Sequence, residues 1–333
     1  MKSLRQILFP LLVIPLLLAA CASPTPAPVP TANPVPPKAT STPFVEPSST
    51  LVPTVQGITL TDGLNRTVHL AAPAAKIISL APSNTEILFA IGAGSQIVGR
   101  DSYSDYPPEA IGLTDIGGPS FGSNMELITN LQPDLILAAD INTQEQVAEF
   151  EKLGLTVFYL TNPTDIAGLY SNLEIVARLT GRETEAATLI ESLKKREEAV
   201  NKTIAKAIDK PVVFYEVDGT DPAKPWTTGP GSFMDTMIRQ AGGINAGANL
   251  PLQWAQISQE ELIVQNPDII LLGDHNFGTT VEQVTSRPGW NAIKAVQTQR
   301  IEPYEDNLAS RPGPRLIDGL EALARAIHPE LYQ

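Results

Sequence analysis

The sequence predicts an α/β fold of two similar lobes, each a parallel sheet covered by helices, with one long α-helix joining them. Three observations predict it. Short continuous apolar runs alternate with segments of helical period, the pattern of parallel strands buried on both faces. A stretch of the first half recurs in the second: shifted by 134 residues without a gap, MELITNLQPDLILAAD lies over QEELIVQNPDIILLGD, with Pro133 over Pro267, Asp134 over Asp268 and Asp140 over Asp274. Between the halves, residues 184–207 place Ala186, Leu189, Ile190, Leu193, Val200 and Ile204 at helical spacing. At 1.5 Å per residue that helix is about 36 Å long, enough to run from one lobe to the other.

The elements follow in order. Residues 1–20 read as a signal peptide, a short basic start and an apolar run too brief and too proline-broken to span a membrane comfortably. Leu18, Ala19 and Ala20 stand before Cys21 in the lipobox pattern, in which the cysteine is acylated and becomes the new terminus. Cys21 is the only cysteine, so no disulfide forms within the chain. Residues 21–56, rich in Pro, Thr and Ser, form a solvated tether that reaches roughly 100 Å when extended.

A first lobe occupies residues 57–163. It opens on a β-hairpin in ITLTDGLNRTVHL, followed by the strand KIISL and a helix started by a capping box of Ser83 and Glu86 and stopped by Gly92. Strands in IVG, DLILA and LTVFYL come next, with a helix over about 143–153 between the last two. A helical linker covers 164–209, its first helix running over 165–180 and ending at Gly181. The second lobe, 210–333, repeats the grammar: PVVFYEV, a helix over about 232–241 with a capping box of Ser232 and Asp235, DIILL, RIEPY and a last helix over about 314–327.

The chain carries 23 basic and 36 acidic residues, net −13. Without Lys2 and Arg5 of the signal peptide it is net −15, which disfavours a nucleic-acid partner. His69, His275 and His328 stand alone, without a neighbour at metal-ligand spacing, so no metal site is expected. His69 lies in the hairpin and His328 in an exposed C-terminal turn, whereas His275 follows a strand at the carboxyl end where α/β proteins bind ligands. No GxSxG elbow occurs; IGAGSQIVG follows a helix rather than a strand, and GPGS lacks the lysine of a phosphate loop. With no nucleophile, base and orienter to converge, no catalytic residues and no cofactor are expected. Tyr103, Tyr106, Phe121, Trp226, Trp254, Phe277 and Tyr304 all fall in predicted loops, so aromatic walls between two lobes would suit a large flat ligand. Trp290 reads as a packing residue. In the repeat, Glu126 and Glu260 each stand two positions after a capping residue, Asn124 or Ser258. They serve the helix macrodipole, or they meet a symmetric partner with two basic pockets.

KIISLAPSNTEILFAIGAG, SYSDYPPEA, the ELIxxxQPDLILA segment, WTTGPGSFMDTMIRQAGG and RPGPRLIDGLEALARAIHPE together resemble the substrate-binding proteins of bacterial ABC importers for cobalamin, iron-siderophores and haem. The resemblance runs from about residue 57 to 330. It implies two Rossmann-like lobes with parallel sheets bridged by one long α-helix, the class III substrate-binding-protein architecture. It also implies a monomeric, non-enzymatic receptor, anchored through Cys21 to the outer face of the cytoplasmic membrane, that delivers a small-molecule metal chelate to an ABC permease dimer with its ATPase.

By that similarity Glu126 and Glu260 dock on permease arginines, and SYSDYP with the tryptophan before QIS looks most like the cobalamin-binding members. Tyr103 would stack beside the corrin, Trp226 and Trp254 would wall the opposite lobe, and Asp306 and Asn307 would meet polar edges. Cobalamin binders carry a tryptophan just before the first docking helix, where this chain has Ser120 and Phe121. Phe121 and His275 complete the set of ligand-binding candidates. The alternative ligands are a ferric siderophore or haem, against which Arg100, Arg311 or Arg315 would serve; a ligand sensor or an enzyme on this scaffold are the alternative functions. In the loop of Tyr103, Pro107 and Pro108 fix the exit, and Asp105 and Tyr106 brace it.

Overall fold

The computed structural model describes residues 57–118 and 122–332. The signal peptide, Cys21, the tether and Phe121 lie outside the described residues. The expected hairpin pairs β1 (Ile58–Thr61) with β2 (Thr67–Leu70), antiparallel. Its turn is organised by buried Asp62, whose carboxylate accepts from the amides of Leu64 (3.0 Å) and Arg66 (2.9 Å), and from that of Tyr159 (3.2 Å) in the lobe beneath.

The first lobe then runs through β3 (Ile77–Ser79), α1 (Pro82–Ala90), β4 (Ile97–Arg100), a two-residue ribbon of β5 (Gly117–Gly118) and β6 (Gly122–Ser123), α2 (Met125–Leu131), β7 (Leu135–Ala139), α3 (Gln144–Lys152) and β8 (Val157–Leu160). Its sheet has the order β4-β3-β7-β8, parallel throughout as expected. Helix α1 departs from expectation at its start. Pro82 occupies the first turn, where its missing N–H costs nothing, and the N-cap is Ala81 with no side-chain cap. Ser83 and Glu86 are therefore inside the helix rather than forming a capping box, which frees Glu86 for the contact described below.

The linker consists of α4 (Ile166–Thr180), capped by Asp165 and closed by Gly181 at φ 69°, and the long α5 (Glu183–Ile204). At 22 residues, α5 is about 33 Å long. It is tied on both sides: Tyr170 of α4 donates to Glu197 (2.8 Å), and Arg196 reaches Asp318 (2.5 Å) and Glu321 (2.9 Å) in the last helix.

The second lobe contains β9 (Val212–Asp218), β10 (Trp226–Thr228), α6 (Phe233–Gln240), β11 (Ile244–Asn245), β12 (Trp254–Gln256), α7 (Gln259–Gln265), β13 (Ile269–Leu272), α8 (Val281–Thr285), α9 (Lys294–Gln297), β14 (Ile301–Pro303), α10 (Asn307–Ser310) and α11 (Leu316–Ile327). Strands β9, β13, β14 and the short β11 are parallel, as expected. An antiparallel ribbon, β10 with β12, extends that sheet. Residues 219–225 between β9 and β10 are fewer than the dozen or more that a parallel crossover needs, so the chain turns straight back. Ser232 caps α6 by accepting from the Asp235 amide (3.1 Å), but the Asp235 carboxylate turns to the Gly231 amide (3.1 Å), so only half of the expected capping box forms.

The repeat is visible atom by atom. Asn124 accepts from the Leu127 amide (3.0 Å) to start α2, and Ser258 from the Glu261 amide (3.1 Å) to start α7. Both helices end on a left-handed residue, Gln132 at φ 51° and Asn266 at φ 44°. Asp134 accepts from the Lys76 amide (2.8 Å) and Asp268 from that of Val212 (2.7 Å), each carboxylate clasping the neighbouring strand's entry.

Alternation along the strands divides the core. Ile78, Ile136 and Tyr159 face one first-lobe cluster, and Phe214, Ile270 and Leu272 face its second-lobe counterpart. Their neighbours Ile77, Leu135, Leu137 and Phe158, with Val213, Tyr215, Ile269 and Leu271, all join a third cluster that runs through α4, α5 and α11 and belongs to both lobes. His328 is a correction: it is buried rather than exposed, with Nδ1 2.9 Å from Glu330 and Nε2 3.3 Å from the Gly242 carbonyl.

Candidate functional site: the inter-lobe cleft

Loops after the carboxyl ends of parallel strands from both lobes enclose a cavity of about 260 Å³. Ser83 follows β3, Tyr103 follows β4 and Ile141 follows β7; opposite them Phe277 follows β13, and Asp306, Asn307 and Arg311 follow β14. The volume is smaller than the roughly 300–1,000 Å³ of sites that enclose a drug-sized ligand, so a large flat ligand would enter by one edge.

Tyr103 is held ready by its own loop. Asp101 beneath it accepts from the Tyr103 amide (2.8 Å) and from the Ser104 hydroxyl, and Ser104 lies 2.8 Å from Thr85 of α1. Burial pushes the Asp101 carboxyl above its ordinary value, the hydrogen bonds from Ser104 and Tyr103 opposing it. Tyr103 itself remains 39% exposed.

Asp105 and Tyr106 brace the loop, and they do so against the other lobe. The Arg315 guanidinium stacks 3.9 Å over the Tyr106 ring and grips Glu86 of α1 through two hydrogen bonds (2.8 and 2.6 Å). Arg311 pairs with Asp105 and lies 3.9 Å from the same Glu86. Arginine forks suit such two-point contacts with carboxylates. Neither arginine is thus an uncommitted cation. Arg100, the third candidate for an anionic ligand, is buried and donates to the carbonyls of Ala110 (3.0 Å) and Asp101 (2.8 Å).

The second-lobe candidates are not all gathered here. Trp226 and Trp254, 42% and 48% exposed, sit in the antiparallel ribbon instead of in loops, on diagonal positions of one face, and do not line the cavity. His275 is folded back, its Nδ1 3.0 Å from the Thr279 carbonyl. Asp306 lines the cavity while accepting from the buried Tyr215 hydroxyl, and Asn307 while donating to Glu305 (2.8 Å). Tyr304 is a core residue, not a cleft residue: 5% exposed, edge-on to Tyr215 at 5.7 Å. Trp290 packs as expected, fully buried against Phe214 and under Arg287, which forms a buried pair with Glu216 (2.5 and 2.9 Å).

Phe277, one of the loop aromatics expected to wall the cleft, lines the cavity, and so does Ile141, which the sequence did not single out. Phe277 was visible as an aromatic after an apolar strand, the same signal that found Tyr103. Ile141 carries no such mark. Glu126 and Glu260 are both exposed in the first turns of α2 and α7, on equivalent helices of the two lobes.

A family described as periplasmic binding protein matches residues 77–307. The chain belongs to that family. Across 282 residues, 83% of this chain and 87% of the relative, it is 33% identical to a Bacillus subtilis protein called an uncharacterized ABC transporter substrate-binding lipoprotein, YvrC. It is 29% identical over 78% of its length to the vitamin B12-binding protein of Photorhabdus laumondii, covering 89% of that chain. Among solved structures, the periplasmic vitamin B12-binding protein BtuF of Vibrio cholerae overlays with a TM-score of 0.67 at 25% identity, covering 78% of this chain and 99% of that one. The haem-binding protein RhuT from Roseiflexus overlays with a TM-score of 0.69 at 27% identity, with the same coverage.

As a periplasmic binding protein, the chain is a substrate-binding component of an ABC importer of the B12, haem or siderophore type, working outside the cytoplasm with a permease and its ATPase. This family binds and delivers; it does not catalyse. Among the described residues of this binding protein, no helix is long and apolar enough to cross a membrane.

Proposed function

We propose that the chain captures cobalamin or a related corrinoid in the inter-lobe cleft and hands it to an ABC permease that docks on Glu126 and Glu260. The observation that carries the ligand class is the state of the arginines. Arg311 is the one cation lining the cavity among the described residues, and Asp105 and Glu86 already neutralise it. The remaining polar lining, Ser83, Asn162, Asn307 and Ser310 beside Asp306, suits amide edges such as those around a corrin better than the propionates of haem or an anionic ferric siderophore. Relatives named for cobalamin or vitamin B12 support the same reading. The likeness to a haem-binding structure favours haem as the second reading.

Titration of the protein with cyanocobalamin, haemin and a ferric siderophore, followed by calorimetry, decides between them. Cyanocobalamin should bind tightest, and Tyr103→Ala should weaken it about tenfold, as loss of one stacking surface implies. Tight binding of haemin or the siderophore with none of cyanocobalamin would reject the corrinoid.

The anchor in this reading is a lipid on Cys21, with the tether keeping the receptor near its permease. Lipoprotein processing adds two or three acyl chains, enough for stable attachment where one is marginal. Cys21→Ala should move the protein from the membrane fraction to the soluble fraction or leave its signal peptide uncleaved; unchanged, processed membrane protein would rule the anchor out.

A further inference from the structure

We propose that Asp105 sets the charge selectivity of the cleft, standing on Arg311 as a built-in carboxylate in the place where the acid group of an anionic ligand would bind. The proposal rests on the reading of this cleft as the ligand site and adds the residue that excludes anions from it.

The two partners come from opposite lobes. Asp105 lies in the loop that presents Tyr103, and that loop is fastened underneath by the Asp101 contacts to Tyr103 and Ser104. Arg311 lies after α10 in the second lobe and lines the cavity together with Tyr103. The arginine side chain is 15% exposed, whereas that of Asp105 is 60% exposed. Arg311 is thus the partner that faces the cavity, and the carboxylate it holds is the one that reaches solvent.

Charge accounting explains why this position discriminates. Arg311 and Arg315 bring two positive charges to the lobe junction, and Glu86 and Asp105 bring two negative ones. Glu86 is held by the two-point grip of Arg315, so the hydrogen-bonded counter-ion of Arg311 is Asp105, with Glu86 and Asp101 acting on it at longer range. The hydrogen bond from Arg311 holds the Asp105 carboxyl below the ordinary carboxylate range, so the pair is ionised at neutral pH. A ligand carboxylate must then displace Asp105 or lie beside it, like charge against like, while an amide or hydroxyl edge meets no such opposition. Removing the charge of Asp105 leaves an arginine at the cavity edge with one fewer counter-ion, the arrangement that recognises carboxylates.

A purely bracing role for Asp105 makes a different prediction, because loosening the loop weakens every ligand that stacks on Tyr103 by a similar factor. The test therefore reads a ratio. Full-length protein and its Asp105→Asn variant are titrated by calorimetry with cyanocobalamin, haemin and metal-free citrate. In the variant, the ratio of haemin to cyanocobalamin affinity should rise about tenfold or more, as expected for removal of a like charge next to an incoming carboxylate. Citrate should gain measurable binding in the variant, and the double variant Asp105→Asn/Arg311→Gln should lose it again. Equal changes for haemin and cyanocobalamin, or no citrate binding in the single variant, would overturn the proposal. If the unmodified protein binds neither corrinoid nor porphyrin, the reading of the cleft fails, and the citrate comparison still decides the role of Asp105.

Discussion

Asp105 and Glu86 share one arginine neighbourhood and titrate in opposite senses. For Asp105 the Arg311 hydrogen bond dominates and depresses the folded-state pKa. Its contribution is then complete above the unfolded value of about 3.9 and is lost as pH falls through the lower folded value. For Glu86 burial dominates and raises the folded-state pKa, with Arg315 pulling the other way. The folded state holds that proton more tightly, so this contribution is fullest below the ordinary glutamate value and fades as pH rises through the folded one. The carboxyl carbon of Asp105, followed by NMR, should titrate with a midpoint below the ordinary aspartate value and return toward it in Arg311→Gln. A midpoint that ignores Arg311 would remove the ion pair from the account. Tyr103 was legible in the sequence because an aromatic after an apolar strand has a predictable place in an α/β fold. Glu86 was misread because a serine three residues before a glutamate has the spacing of a capping box whether or not it caps. Its real partner, Arg315, is 229 residues away, a separation no local pattern encodes.

The paired helices α2 and α7 show what repetition makes readable at the next scale. Their capping residues and the aspartates that follow them were readable from a self-alignment of the chain, which needs no knowledge of packing, whereas their left-handed ends were not. Replacing Glu126 and Glu260 together by lysine should abolish ligand uptake by vesicles carrying the permease and its ATPase, because opposite charges at a docking rim become like charges. Ligand affinity measured on the soluble receptor should survive, since both residues lie in helices outside the cleft lining. Loss of ligand binding in that double variant would refute the docking role. The ribbon of β10 and β12 was not legible in the same way. Each strand has three residues, too short to show a period, and its direction follows from the brevity of the preceding loop. That is why Trp226 and Trp254 were expected in loops and are found in strands, Trp254 on the edge strand β12 and Trp226 on its neighbour β10.

Across the whole molecule, the decisive feature is the core cluster that both lobes share through α4, α5 and α11. Leu193 lies in it, 4% exposed, at the middle of α5. Leu193→Ala should cost about 2–5 kcal/mol, the range for a leucine removed from a packed core. Scanning calorimetry of the described fold should show one transition that moves down as a unit; two separated transitions, only one of them shifted, would mean that the lobes hold independent cores. The two-lobed plan and the long helix were readable because alternation and period are local. The sharing of a core was not, because it depends on which face of each sheet the helices cover.

Helix α11 is the last α-helix among the described residues, and Ile317, Leu320, Leu323 and Ile327 belong to that common core. The strands of both sheets precede it in the chain, and it packs against α5, α6 and α10. A chain cut short before Leu316 would keep every described strand while exposing to proteases the apolar surface that α11 covers. The twelve residues of α11 thus make the protease resistance of the shared core depend on a segment that contributes no strand.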